Sequence, residues 1–125
     1  MAKGDENKFR DSKLLPFLNS LDNAIFIIKE AGAIRGLPDI MGCWNGQAIY
    51  LEVKKDVLGL KEDRAVLQGV WLQKFKKAGG QAHFIYPENA AYILEDLAFH
   101  QFSAGYISQV EYDNLKVKIS KSFSF

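Results

Sequence analysis

Two short apolar runs, 39–44 and 47–54, are joined by the dipeptide Asn45-Gly46. Asn-Gly is the pair best suited to a type I′ turn, because both central residues of that turn need positive φ. The runs therefore pair as an antiparallel hairpin, and its two-residue loop fixes the register. Trp44 faces Gln47, Cys43 faces Ala48, Gly42 faces Ile49, Met41 faces Tyr50 and Ile40 faces Leu51. Asp39 then falls opposite Glu52. Lys54, two residues further on, lies on the same face and diagonal to Asp39. The other face, with Ile40, Trp44, Ile49, Leu51 and Val53, is a core face.

The flanking chain predicts what such a hairpin packs against. Residues 8–21 place Phe9, Leu14, Leu15, Leu18 and Leu21 at roughly helical spacing, with Pro16 marking a first turn or a kink. Residues 23–29 are rich in β-branched and aromatic side chains and predict a strand. Loops follow at 30–36 and 55–61. Residues 62–78 predict an amphipathic helix whose stripe is Leu67, Val70, Trp71, Phe75, Ala78 and the stem of Lys74, closed by Gly79-Gly80. Strand 81–86, helix 88–100 and a short strand at 115–119 complete the pattern. A strand, a crossover helix and a further strand make a right-handed βαβ unit, so 81–86 should run parallel to 47–54. The expected fold is α/β, a mixed sheet with helices on both faces, which accounts for two apolar faces on the hairpin.

The composition agrees. A chain of 125 residues with 48% apolar and 25% charged residues suits one globular domain. The longest apolar run, 24–28, is too short to span a bilayer. No secretory-type segment is expected behind the N-terminus, and a lone cysteine, Cys43, excludes an internal disulfide or a cysteine-based zinc site. A reducing, cytoplasmic setting follows as the expectation.

Like charges directly opposite one another destabilise a sheet. Two close carboxylates do not both stay ionised unless a cation sits between them or one is protonated. Oxygen ligands at a wet strand end suit Mg²⁺, with Mn²⁺ as a substitute, because these ions keep several waters and accept a substrate phosphate. Asp39 and Glu52 are thus candidate metal ligands, and the backbone carbonyl of Val53 is a candidate addition. Such an ion polarises a phosphoryl oxygen and lowers the pKa of its water. Lys54 is placed to orient that water or to neutralise the phosphate. The structural alternative is an Asp that ends a turn and a strand that leaves the core.

Gly36-Leu-Pro-Asp39, the hairpin and Glu52-Val-Lys54 resemble the signature of the PD-(D/E)xK nuclease superfamily. More narrowly, Arg35-Gly-Leu-Pro-Asp39, Leu51-Glu-Val-Lys54, Gln68-Gly-Val-Trp71-Leu72 and Ala78-Gly-Gly80 resemble its virus-type replication-repair (VRR-Nuc) branch, whose small phage members are little more than the nuclease domain. The resemblance covers about 8–90 and leaves 101–125 as an extension. It implies a restriction-endonuclease-like core. It also implies that Asp39 and Glu52 bind metal, that Lys54 is the catalytic lysine, and that Gln68 is a helix-borne glutamine lining the site. Two departures stand out. Ala65 replaces a serine frequent three residues before the glutamine, and the acid that the family tends to carry in its first helix has no clear match. Glu6, Asp11 and Glu30 are the candidates.

A net charge of +1 leaves nucleic-acid binding to local clusters, and Lys and Arg exceed acids from Lys54 to Lys77. Arg35, Lys55, Lys61 and Arg64 flank the site and are the expected phosphate contacts. His83 and Cys43 are expected to be packed rather than reactive. The expected activity is that of a divalent-metal-dependent DNA endonuclease acting on branched DNA, as a junction resolvase does. A homodimer is expected, since a duplex has two strands and the chain one site; neither a membrane nor a nucleotide cofactor is. If the protein is phage-encoded, it acts in the host cytoplasm. The alternatives are a sequence-specific or homing-type endonuclease and a non-catalytic DNA-binding module that retains the fold.

Overall fold

The computed structural model describes residues 2–29 and 34–123. The chain divides into two compact units, Met1–Tyr86 and Pro87–Phe125. The first begins with helix α1 (Ala2–Phe9), a π-helical turn (Arg10–Leu14) and helix α2 (Leu15–Leu18). Strands β1 (Ala24–Ile28), β2 (Ile40–Trp44) and β3 (Gln47–Val53) follow, then a 3₁₀ turn (Val57–Lys61), helix α3 (Asp63–Lys77) and strand β4 (Gln81–Ile85).

The hairpin is the centre of the sheet, whose order is β1-β2-β3-β4. Asn45 at φ 49° and Gly46 at φ 82° make the type I′ reversal. The β2–β3 register runs from Trp44 opposite Gln47 to Ile40 opposite Leu51, as expected. Strand β1 joins β2 antiparallel, and β4 runs parallel to β3 with Phe84 opposite Glu52. The protein is therefore α/β, with a four-stranded mixed sheet flanked by helices.

Strand alternation sorts the two faces. Phe26, Ile40, Trp44, Ile49, Leu51, Val53 and Ile85 share one face and are all buried. His83, paired with Leu51, belongs to this core face and not to the site. On the other face α3 covers β3 and β4. Phe75 stacks on Tyr50 with ring centroids 3.9 Å apart. The half over β1 and β2 is open: Ile25 and Ile27 are 62% and 57% exposed. With Met41, Cys43 and Tyr50 they line a shallow apolar groove of about 460 Å³.

Helix α3 is rotated from the expected stripe. Ala65 and Leu72 are buried, while Leu67 and Val70 are exposed. Gly69 lies on the buried side and faces the Phe84 ring, which a Cβ there would meet at 3.8 Å, an ordinary contact distance. The rotation turns Gln68 inward. Pro16 occupies the first turn of α2, which continues α1 through the π-helical turn, where the Leu15 N–H bonds the Arg10 carbonyl. Asn19, at the end of α2, covers the outer edge of β1. Its Oδ1 accepts the Phe26 N–H at 3.1 Å and its Nδ2 donates to the Phe26 carbonyl at 3.4 Å.

The second unit comprises helices α4 (Ala90–Ser103) and α5 (Gln109–Phe123), joined through stacked Phe102 and Tyr112. The strand expected at 115–119 is thus part of a helix. Its alternation of apolar and charged residues mimics a strand, but Leu115, Ile119 and Phe123 recur at helical spacing, and Ile119 and Phe123 are buried. A capping box starts the helix: Ser108 Oγ accepts the Glu111 N–H at 3.1 Å, and Glu111 Oε1 accepts the Ser108 N–H at 2.9 Å.

Candidate active site

The loop that delivers Asp39 is pinned to α3. Gly36 has φ 85°, and a Cβ there would stand 2.7 Å from Leu67 Cγ, so glycine is required both for the turn and for the close approach. Trp71 Nε1 donates to the Arg35 carbonyl at 3.0 Å. Asp39 then extends the ladder one residue past β2, its carbonyl accepting the Lys29 N–H at 2.8 Å. Its Oδ2 accepts the Val53 N–H at 3.0 Å, tying it to the end of β3.

Glu52 is only 4% exposed. Gln68 Nε2 donates to its Oε2 at 3.0 Å. Burial first, then the charge of Asp39 and a hydrogen bond to it, push the Glu52 carboxyl from an ordinary 4.5 up to about 8, against a smaller pull from Lys54 and Lys29. The two acids therefore meet, as the hairpin register requires. Without a cation, Glu52 holds a proton at neutral pH.

Lys54 is fully buried, and its Nζ stands 3.3 Å from Glu62 Oε1. Glu62 also accepts from Arg64 Nε at 3.4 Å, and Arg64 Nη2 lies 3.9 Å from Glu6 Oε1. The hydrogen bond from Lys54 lowers the Glu62 pKa more than any other influence on it. Burial raises that of Glu6 against the attraction of Lys54 and Arg64, with Asp39 and Glu62 adding to the rise. Of the three candidate acids, Glu6 and Asp11 near the first helix and Glu30 after the following strand, Glu6 reaches this cluster. Asp11 pairs with its neighbour Arg10 at 2.8 Å, and Glu30 lies outside the described residues.

The expected phosphate contacts differ in their surroundings. Arg35, Lys55, Lys61 and Arg64 are all exposed. Lys55 pairs with Asp5 at 3.7 Å and Arg64 with the two glutamates, whereas Arg35 and Lys61 form no ion pair with a described residue. Glu62 is the member that sequence reasoning missed. In the sequence it reads only as the start of a helix, and the 3₁₀ turn that returns it to Lys54 lies in a stretch with no periodic signal.

The donor set suits a hard divalent cation. Glu52 Oε1 and Gln68 Oε1 are buried, and among the described residues neither finds a hydrogen-bond donor. A buried acceptor without a donor is costly; a proton shared with Asp39 relieves the Glu52 carboxyl, and a cation between the acids would serve in its place. Among the described residues no three His, Cys, Asp or Glu side chains form a ready cage. An ion here would therefore take two carboxylates, amide or carbonyl oxygens and water, the ligand set of a site open to substrate. Compared with protein-family models, curated proteins and solved structures, the chain matches none.

Proposed function

We propose that this chain is a divalent-metal-dependent DNA endonuclease acting on branched DNA as a cytoplasmic homodimer. The observation that carries the reading is the meeting of Asp39 with the buried Glu52, next to the buried Gln68 oxygen that no described donor reaches, with the buried Lys54 following Val53. Asp39 and Glu52 hold Mg²⁺ or Mn²⁺, with the Val53 carbonyl and the Gln68 oxygen as further donors. A bound ion supplies Lewis acidity at a phosphoryl oxygen and a water of lowered pKa. Glu52 would hold the ion as a carboxylate, its proton released to solvent, with Gln68 orienting it, and Lys54 would offset the negative charge that builds on the phosphate. Arg35, Lys55, Lys61 and Arg64 hold the flanking phosphates, and two copies supply one site per strand. Among the described residues no helix is long and apolar enough to cross a membrane.

The test is incubation of the purified protein with duplex, nicked and four-way DNA, with EDTA, Mg²⁺ or Mn²⁺. Metal-dependent cutting of the four-way substrate is expected, and Glu52→Ala abolishes it. Absence of cleavage with either metal overturns the enzyme reading. DNA binding that persists without cleavage favours a non-catalytic module, and cutting confined to one duplex sequence favours a homing-type enzyme.

A further inference from the structure

We propose that Glu62 is a positioning residue for Lys54, fixing its ammonium. This rests on the reading of Lys54 as the catalytic lysine. Lys54 leaves the end of β3 with its side chain fully buried, its stem beside the 3₁₀ turn. A Cβ at Gly59 would stand 3.1 Å from Lys54 Cδ and 3.3 Å from its Cβ, so the turn grips the lysine stem. The stem has little rotamer freedom left, but packing does not orient the three donors of an ammonium. Glu62 does this, through the 3.3 Å contact from Oε1 to Nζ.

Glu62 is well suited to the task. It stands at the N-cap position of α3, yet its side chain makes no capping hydrogen bond and is left to serve Lys54. Its backbone is fixed from both sides, by its own N–H bond to the Gly59 carbonyl at 3.3 Å and by its carbonyl accepting the Ala65 N–H at 3.0 Å. The same oxygen accepts from Arg64, and Arg64 reaches Glu6 on α1. Lys54, Glu62, Arg64 and Glu6 thus alternate in sign. They tie the end of β3, the start of α3 and the first helix together around the lysine, with Glu6 also within the reach of its charge.

The experiment compares native protein with Glu62→Ala and Glu62→Gln by steady-state cleavage of a four-way DNA with Mg²⁺, by thermal unfolding, and by ¹⁵N NMR of lysine ammonium groups, with Lys54→Arg assigning the Lys54 signal. Glu62→Ala is expected to lower kcat about tenfold or more with KM changed less than about threefold, since an orienting contact acts on the reacting geometry rather than on ground-state binding. Glu62→Gln, which keeps an acceptor, recovers most of kcat. The Lys54 ammonium signal is sharp in the native and Gln proteins and broadened or shifted in the Ala protein. A native kcat in Glu62→Ala, an unchanged ammonium signal, or a fall in unfolding temperature with kcat intact overturns the proposal, as does a rise in kcat, which would mark Glu62 as a brake. If native protein cuts no DNA, the nuclease reading falls, and the ammonium spectra alone decide whether Glu62 holds Lys54.

Discussion

Glu52 shows how a carboxyl group becomes basic: it is removed from water and set against a second acid. Its pKa of about 8, against an ordinary 4.5, fixes a sign. Between those values the unfolded chain releases its proton while the folded chain keeps it. Stability without metal therefore falls as pH rises through that window, by up to about 1.4 kcal/mol per pH unit from this group. Glu6, also raised, contributes in the same direction, whereas Glu62, whose pKa is lowered, acts only below the ordinary carboxylate range. Unfolding temperatures in EDTA are expected to drop from pH 5 to pH 8, with most of the slope removed in Glu52→Gln. Mg²⁺ should recover more stability at pH 8 than at pH 6, because below the Glu52 pKa binding must expel a proton. A flat or rising profile in EDTA would contradict the burial of this acid against Asp39. The pair was legible in the sequence because a two-residue turn fixes its register locally. The partner of Lys54 was not, since Glu62 returns through a turn whose path depends on tertiary contacts.

The same division between local and non-local causes runs through the elements. Helix α3 was placed correctly along the chain but rotated wrongly. Its largest apolar residues suggest one buried side, whereas the side that faces the sheet carries Ala65, Leu72 and Gly69, the last beside Phe84. At 115–119 the two-residue alternation points to a strand, whereas Ser108-x-x-Glu111 ahead of it is a local start signal for the helix that forms. Ser108→Ala should cost about 1 kcal/mol and speed hydrogen exchange in the first turn of α5, leaving the sheet amides unchanged. Equal exchange in both proteins would mean that the box does not hold the helix. The edge of β1 makes a second case. Ala24–Ile28 is apolar throughout, a strand that would recruit another strand if left bare, and the Asn19 carboxamide satisfies the backbone N–H and carbonyl at its centre. Asn19→Ala is expected to lose about 1–2 kcal/mol in denaturant titrations. It should also raise self-association above that of the native protein in light scattering. Native stability with unchanged scattering would show that the edge needs no guard.

Over the whole molecule the charges nearly cancel, at +1, so any attraction for DNA depends on which cations are free to meet phosphates. The ion pairs sort them. Lys54 is committed to Glu62, whereas the exposed Arg64 and Lys55 are only partly offset, by Glu62 and Glu6 and by Asp5. Arg35 and Lys61 are exposed and form no ion pair with a described residue. Each phosphate neutralised releases condensed counterions, so the slope of log K against log salt counts the cations that bind. Alanine at Arg35 or Lys61 should each lower that slope by about one on duplex DNA. Lys55→Ala should lower it by less, because breaking its exposed pair with Asp5 leaves an acid near the bound strand. The measurement is fluorescence anisotropy over a salt series with Ca²⁺ in place of Mg²⁺, so that binding is read apart from cleavage. Equal slopes for native protein and all three variants would mean that the DNA lies elsewhere. A larger loss at Lys55 than at Arg35 would move the phosphate path towards α1, away from the turn that Trp71 pins to α3.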